Sequence, residues 1–201
     1  MKQEDKFLLL DLREFELWLK GLKLKRKILL IQNHHTWLPD YSTFNGKNHF
    51  KLLHAMERSH RERGFTQIAQ NLTTFPNGKI AVCRPFEEIP AGIKGANSNG
   101  ICIEHIGNFD KGKDHMTEAH RECIIGVNAL LCEKFKLTPG TNTVVYHHWY
   151  DLTTGQRVAE SPTSNTKSCP GTNFFGGNTI AACKNNFIPL ISKVKMYEPV
   201  V

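Results

Sequence analysis

Two histidine doublets and one late cysteine are the residues of this chain whose types and spacing could do chemistry. The doublets His34-His35 and His147-His148 each end an apolar run. Cys169 lies in a segment rich in Ser, Pro and Gly, where a buried apolar side chain is not expected. Two imidazoles and one thiolate, brought together by strand ends and a loop, are the ligand set of a zinc site with one open position. A water molecule bound at that position is a nucleophile near neutral pH.

Each of these residue types also has an ordinary structural role. A histidine at the end of an apolar run is often a hydrogen-bonded polar residue, and a cysteine is often a small buried hydrophobe. Two doublets in equivalent settings favour a metal site over that alternative. On residue types alone, both interpretations stay open.

The composition indicates one ordinary globular domain. The chain has 201 residues, of which 40% are hydrophobic and 22% are charged, and this length can bury a sizeable core. No apolar stretch approaches the ~20 residues that span a bilayer. The N-terminal sequence lacks the long apolar segment and small-residue cleavage site of a secretory signal. We therefore expect synthesis in the cytoplasm without a readable signal peptide and no membrane span.

The charge of the chain favours anionic partners. The formal net charge is +7, but the basic residues form no stripe and no recognised nucleic-acid module is present, so we do not expect nucleic-acid binding. The six cysteines show no CxxC spacing. The absence of CxxC pairs favours reduced, buried thiols over a disulfide framework or a redox protein. The oligomeric state cannot be read from the sequence.

Hydrophobic periodicity predicts the elements that would carry these residues. The predicted helices span 4–20, 48–63, 115–136 and 179–194, the last interrupted at Pro189. The predicted strands span 27–33, 66–73, 79–82, 100–106 and 144–147, with a hairpin turn at 75–78. This mixture predicts a single α/β (α+β) domain around one sheet. Residues 1–26 are predicted to be an N-terminal helical extension of a domain at 27–201.

A set of short motifs occurs in a fixed order from about residue 27 to about residue 175. They are His34-His35-Thr36, Ile68-Ala69-Gln70-Asn71, Asn77-Gly78-Lys79-Ile80, Arg84-Pro85, Gly100-Ile101-Cys102-Ile103-Glu104, Ile106-Gly107-Asn108-Phe109, His147 and Lys167-Ser168-Cys169-Pro170-Gly171. Their order resembles that of the type 2 N-acetylmuramoyl-L-alanine amidases. This family includes phage endolysins, bacterial autolysins and the catalytic peptidoglycan recognition proteins.

The resemblance implies a fold and an activity. The fold is peptidoglycan recognition protein-like: a central mixed β-sheet flanked by helices, with a groove that holds one Zn²⁺. The activity is hydrolysis of the amide bond between N-acetylmuramic acid and L-alanine in peptidoglycan, by a catalytic domain at 27–201 that acts on the cell wall after release or export. Peptidoglycan and anionic cell-wall polymers would be its partners, in a phage, prophage or autolysin setting. The alternative is a non-catalytic peptidoglycan-binding module with the same fold.

The ligand positions of the family fall on His34, His147 and Cys169. The second doublet leaves an alternative, because alignment of its apolar run selects His147, whereas a slip of one residue selects His148. Neighbouring strand residues point to opposite faces, so only one of the two is expected to bind the metal. We prefer His147.

Further family roles fall on Glu104, as general base, and on Lys167, as the group that stabilises the transition state. Many members have Tyr or His where this chain has Gln70 and Asn71. Neither an amide of Gln nor one of Asn can act as a base, so that role falls on Glu104 or on another group. The candidate substrate-binding residues are Asn71, Trp37 and Arg84.

Overall fold

A seven-stranded mixed sheet runs through the computed structural model, which describes residues 1–161, 163 and 165–194. The strands are β1 (Lys2–Glu4), β2 (Phe7–Leu10), β3 (Leu30–His35), β4 (Leu72–Thr74), β5 (Ile80–Val82), β6 (Gly100–His105) and β7 (Val144–Tyr146). Their order across the sheet is β1-β2-β5-β4-β6-β3-β7.

The sheet has an antiparallel half and a parallel half. Strands β1, β2, β5 and β4 pair antiparallel, whereas β4, β6, β3 and β7 pair parallel. Parallel strands end at one common edge, and ligands of such sheets bind outside that edge. The carboxyl ends of β3, β6 and β7 therefore define the place where side chains from distant parts of the chain meet.

Helices cover both faces of the sheet. They are α1 (Leu12–Gly21), α2 (His49–Glu62), α3 (Glu118–Lys134), α4 (Ile180–Ala182) and α5 (Ile188–Lys193), with a π-helical turn at Cys183–Phe187. Helix α3 packs against α1 and α5 over the larger hydrophobic cluster. Helix α2 contributes Leu52, Leu53 and Met56 to a second cluster. The predicted fold class, a central mixed sheet flanked by helices, is confirmed.

The N-terminal segment corrects one prediction. Residues 2–10 form β1 and β2 rather than the start of a helix, and helix α1 begins only at Leu12. A run of consecutive leucines fits a helix and a strand equally well. Here the run forms a strand because the edge of β5 is available for pairing, and Leu8 and Leu10 pair with Val82 and Ile80. The interpretation of residues 1–26 as a purely helical extension is therefore wrong for residues 2–10.

Most other elements lie close to their predicted positions, but the strand predicted at 66–73 is wrong for residues 66–71, because β4 is confined to Leu72–Thr74. Helices α2 and α3 are confirmed, and β4 and β5 form the predicted hairpin. Strand β3 extends to His35, so it includes the whole first doublet. Strand β7 ends at Tyr146, and the second doublet lies in a 3₁₀ helix at His147–Trp149. The last helix is interrupted by its π-helical turn at Cys183–Phe187, before Pro189.

A chain of buried hydrogen bonds links α3 to the sheet. The His120 ring lies 2.8 Å from the hydroxyl of Tyr41 through Nδ1 and 2.7 Å from Oγ1 of Thr74 through Nε2. Thr74 Oγ1 also lies 2.7 Å from His105 Nδ1, and His105 Nε2 lies 3.0 Å from Asn33 Oδ1. Burial lowers the pKa of His120 to about 3. The network therefore requires a neutral imidazole at this position.

Replacing His120 by Gln should make the stability of the protein less sensitive to acid. The pKa of His120 is about 3 in the folded chain and about 6.5 in an unfolded one. As the pH falls from about 6.5 towards 3, the unfolded state binds a proton that the folded state excludes. The free energy of unfolding should therefore fall by about 1.4 kcal/mol per pH unit from this residue alone.

Urea denaturation between about pH 6.5 and pH 4.5 measures this slope. The His120→Gln variant should show a slope shallower by about 1.4 kcal/mol per pH unit. The exposed His115 offers a matched control, and His115→Gln should keep the slope of the unmodified protein. Equal slopes for all three proteins would contradict the assignment of a neutral, buried His120.

Candidate metal centre

The carboxyl ends of the parallel strands bring the first candidate residues together. His34 of β3 lies directly beside Glu104 of β6 in the register of the sheet. His147 begins the 3₁₀ helix that follows β7. His34 Nδ1 lies 3.2 Å from His147 Nδ1 and 3.9 Å from Glu104 Oε1. Residues more than a hundred positions apart thus share one site because their strands end at one edge.

Cys169 reaches the same place from the loop that follows the 3₁₀ helix. Ligand atoms of His34, His147 and Cys169 all lie within 4.8 Å of one another. Asp110 holds this loop, because its carboxylate accepts hydrogen bonds from Ser168 Oγ at 3.1 Å and from the Thr172 N–H at 2.9 Å. The position of the thiol is therefore fixed by a side chain outside the ligand group.

The two members of each doublet have different surroundings. His147 turns towards His34, whereas His148 Nδ1 lies 2.6 Å from the carbonyl oxygen of Lys167. His35 faces away from the cluster, and its Nδ1 accepts a hydrogen bond from the Phe109 N–H at 3.1 Å. The geometry thus brings His34 and His147 to the cysteine and gives His35 and His148 contacts with neighbouring loops.

The donor set fits a zinc ion. Two imidazole nitrogens bound to one tetrahedral Zn²⁺ at about 2.0–2.1 Å would be roughly 3.3–3.4 Å apart, and the two Nδ1 atoms are 3.2 Å apart. Burial lowers the pKa of His147 to about 3 and that of His34 well below its usual value, so both rings are neutral and can donate a lone pair. Burial also raises the pKa of the Cys169 thiol, and metal binding would displace that proton.

Glu104 and Lys167 line the same cavity as these three residues. Burial raises the pKa of Glu104 to about 8, and the positive charge of Lys167 opposes this rise. A bound cation would lower the pKa of Glu104 further towards its usual range. A carboxyl group placed in this way can accept and release a proton near neutral pH.

The cavity has a volume of about 730 Å³ and lies between α2 and the carboxyl edge of the sheet. Its apolar lining includes Leu52, Met56 and Phe65, and its basic lining includes Arg63 and Lys167. Trp37 also lines the cavity, with its side chain 57% exposed and a left-handed backbone at φ 61°. Of the three candidate substrate-binding residues, Trp37 is the one that reaches this cavity.

Asn71 and Arg84 lie elsewhere and support the chain between β5 and β6. Asn71 is fully buried, donates to the Pro85 carbonyl at 3.2 Å and accepts from the Cys102 N–H at 3.0 Å. Arg84 is also buried and donates to the carbonyls of Ile68 and Ile89. Both side chains are therefore engaged by backbone groups, and the prediction that they contact substrate is not supported by their positions.

Two residues at the centre were missed by the sequence analysis. Gln32 Oε1 lies 3.4 Å from His34 Nε2, and the two-residue period of a strand could have placed Gln32 on the same face as His34. Gly92 lies against both side chains, since a Cβ built there would be 2.3 Å from Gln32 Oε1 and 2.7 Å from Cys102 Sγ. A lone glycine in a loop gives no comparable sequence signal.

Replacing Gly92 by Ala should disturb this centre. The added methyl group would lie 3.1 Å from His34 Nε2 and closer still to Gln32 and Cys102. Overpacking of this kind costs about 1–3 kcal/mol, so the melting temperature and the zinc affinity should both fall. Gly21, the last residue of α1, has open space around the position of a Cβ, and Gly21→Ala is the control that should lower neither quantity, since Ala favours a helix over Gly. Unchanged zinc affinity in Gly92→Ala would contradict the close packing described above.

Solved structures of other proteins share this fold. N-acetylmuramoyl-L-alanine amidase LysC from Clostridium intestinale is 20% identical, with a TM-score of 0.53 over 74% of this chain and 80% of that chain. Drosophila PGRP-SA is 17% identical, with a TM-score of 0.60 over 83% of each chain. A point mutant of Drosophila PGRP-LB in complex with tracheal cytotoxin is 18% identical, with a TM-score of 0.58 over 81% of this chain and 83% of that chain. The fold is therefore that of the amidases and peptidoglycan recognition proteins.

Sequence comparison identifies the family. A family model described as N-acetylmuramoyl-L-alanine amidase matches residues 24–172. The chain belongs to the N-acetylmuramoyl-L-alanine amidase family, and the resemblance seen in the order of its motifs is confirmed. A search of curated protein sequences finds no match. Family membership supports amidase activity or peptidoglycan binding in general terms.

Among the described residues, no helix combines the length and the apolar character needed to cross a membrane.

Proposed function

We propose that this protein hydrolyses the amide bond between N-acetylmuramic acid and L-alanine in bacterial peptidoglycan, with one Zn²⁺ as cofactor. The observation that carries the proposal is the convergence of His34, His147 and Cys169 beside Glu104 in one cavity. Membership of the N-acetylmuramoyl-L-alanine amidase family supports the choice of this amide bond as the substrate of the site. A structural role for the three residues would not require their ligand atoms to converge.

His34, His147 and Cys169 would hold the metal. Zn²⁺ bound there would supply Lewis acidity, which would polarise the scissile carbonyl and acidify the attacking water. Glu104 accepts the proton of the attacking water and delivers it to the nitrogen of the leaving L-alanine. Its position 3.9 Å from His34 Nδ1 places the carboxylate beside the ligand group.

Lys167 offsets the negative charge that develops on the carbonyl oxygen. One well-placed donor of this kind contributes about 3 kcal/mol to transition-state stabilisation. The backbone of Lys167 is held by His148, whose Nδ1 lies 2.6 Å from the Lys167 carbonyl oxygen. The second histidine of the doublet therefore serves the reaction indirectly, by fixing the segment that carries the lysine.

The cavity suits a substrate that joins sugar and peptide. Trp37, Leu38 and Met56 offer apolar surface, and Arg63 offers a positive charge at the end of α2. The net charge of +7 attracts the anionic polymers of bacterial walls. A PGRP-LB mutant of the same fold is known in complex with tracheal cytotoxin. We propose that the protein acts at the wall, after release or export, as a phage, prophage or autolytic enzyme.

A non-catalytic peptidoglycan-binding module is the second candidate function. The similarity to peptidoglycan recognition proteins in fold favours it. The presence of all three ligand candidates together with Glu104 favours catalysis, because a protein that only binds wall fragments has no need of a metal-activated nucleophile.

Mass spectrometry of fragments released from purified wall tests the proposal. The zinc-loaded protein should release stem peptides with new amino termini on L-alanine, and an added chelator should stop this release. New sugar reducing ends would indicate a glycosidase and would contradict the proposal. Retention of the protein on wall without any released fragment, in a sample shown to contain zinc, would favour the binding module.

A further inference from the structure

We propose that Gln32 is a positioning residue that fixes the tautomer of His34, so that Nε2 carries the proton and Nδ1 faces the metal position. The metal-binding part of this inference rests on the proposed zinc function. Gln32 is fully buried, two residues before His34 on β3. Its side chain therefore lies on the same face of the strand as the histidine.

Two backbone groups determine the orientation of the Gln32 amide. Gln32 Nε2 donates to the Ala96 carbonyl at 2.9 Å, and Gln32 Oε1 accepts from the Ile93 N–H at 3.1 Å. A flipped amide would set its NH₂ group against the Ile93 N–H and its oxygen against the Ala96 oxygen. Both contacts would then be repulsive, so the loop that carries Ile93 and Ala96 selects one orientation.

The orientation of the amide determines the protonation of His34. Gln32 Oε1 lies 3.4 Å from His34 Nε2, and an amide oxygen only accepts hydrogen bonds. The nitrogen that faces it must therefore carry a proton. A neutral imidazole has one N–H, so His34 Nδ1 keeps a free lone pair. That atom is the one 3.2 Å from His147 Nδ1.

The loop that holds Gln32 is itself fixed. Arg26 donates to the carbonyls of Phe86 and Glu88 at one end of the loop and to the Asn97 and Gly100 carbonyls at the other. Gly92 allows this loop to approach, since any side chain there would overlap Gln32. Contacts of this kind behind a ligand orient its ring and commonly change metal affinity roughly 10- to 100-fold when they are lost.

Nitrogen NMR of the metal-free protein tests the tautomer without any change at Gln32. In uniformly ¹⁵N-labelled protein at neutral pH, His34 should show the pattern of an Nε2–H imidazole. Its signals are assigned by their absence from a His34→Gln variant. An Nδ1–H pattern at His34 would overturn the proposal. This measurement uses neither zinc nor substrate, so its failure is distinguishable from failure of the proposed hydrolysis.

Zinc affinity, measured by competition with a chromophoric chelator, tests whether Gln32 strengthens metal binding through His34. Gln32→Leu removes the acceptor and should weaken binding roughly 10- to 100-fold. Gln32→Glu also loses the donor to Ala96 but keeps an oxygen towards His34, so it should bind zinc more tightly than Gln32→Leu. Gln70→Leu removes another fully buried amide and should bind zinc as the unmodified protein does.

Three outcomes are informative for these variants. Weak binding by Gln32→Leu with rescue by Gln32→Glu supports the positioning role, provided that the metal-free variants melt as folded proteins. Equal zinc affinity for Gln32→Leu and the unmodified protein overturns it. Should Gln32→Leu fail to fold, the tautomer of His34 in the unmodified chain decides the question.

Discussion

Replacing His147 by Ala should abolish zinc binding and wall hydrolysis, whereas replacing its neighbour His148 should leave the zinc in place. The His147 ring lies 3.2 Å from His34 Nδ1, and the His148 ring instead contacts the Lys167 carbonyl. Loss of a metal that supplies several kcal/mol of transition-state stabilisation should lower kcat/KM at least about 10³-fold. In this doublet, His147 would bind the metal, whereas His148 would hold the segment that carries Lys167.

Elemental analysis and the release of L-alanine amino termini measure the two effects. The His148→Ala variant should contain one zinc per chain and should show a smaller loss of activity, because only the Lys167 segment is loosened. The opposite result, in which His148→Ala loses zinc and His147→Ala keeps it, would select the alternative ligand. Circular dichroism of both metal-free variants checks that the fold is retained.

Replacing Glu104 by Gln should leave zinc binding intact and reduce kcat about 10²- to 10⁴-fold, which is the usual contribution of a general base. Glu104 lies beside His34, and its pKa of about 8 reflects its burial in the cavity. The amide of Gln has nearly the same shape but accepts no proton. The cavity around it should therefore remain unchanged while proton transfer is lost.

Glu62→Gln provides the matched control for this substitution. Glu62 is exposed at the end of α2, and its replacement should leave kcat at the level of the unmodified protein. Steady-state kinetics with a soluble muropeptide give kcat and KM separately. A Glu104→Gln protein that retains zinc and full kcat would show that another group takes the proton.

The convergence of the site could be predicted from the sequence because it depends on strand ends. The apolar runs that precede His34 and His147 predicted two strands, and the structure pairs both strands in parallel so that they end at one edge. Glu104, which only the family resemblance singled out, lies beside His34 in the register of the sheet. The meeting of the two strand ends follows from the local apolar pattern and from the rule that parallel strands end at one common edge of a sheet.

Contacts between segments far apart in sequence could not be predicted in the same way. The leucines of β2 form a strand because β5 offers them an edge. Asn71 and Arg84 have polar side chains typical of a binding site, yet backbone carbonyls engage both. Gln32 gains its place behind His34 only because the loop that carries Ile93 returns to meet it. Each of these facts depends on which backbone groups lie nearby after folding.

The two N-terminal strands have a practical consequence for shortened versions of this protein. Strand β2 occupies the edge of β5, and its residues Phe7 and Leu10 are buried in the two hydrophobic clusters. A truncated chain that starts at residue 27 would leave β5 with unpaired backbone groups next to uncovered apolar surface. Unprotected edges of this kind recruit strands from other molecules. Such a truncation would therefore self-associate and precipitate, even though every residue of the metal centre is still present.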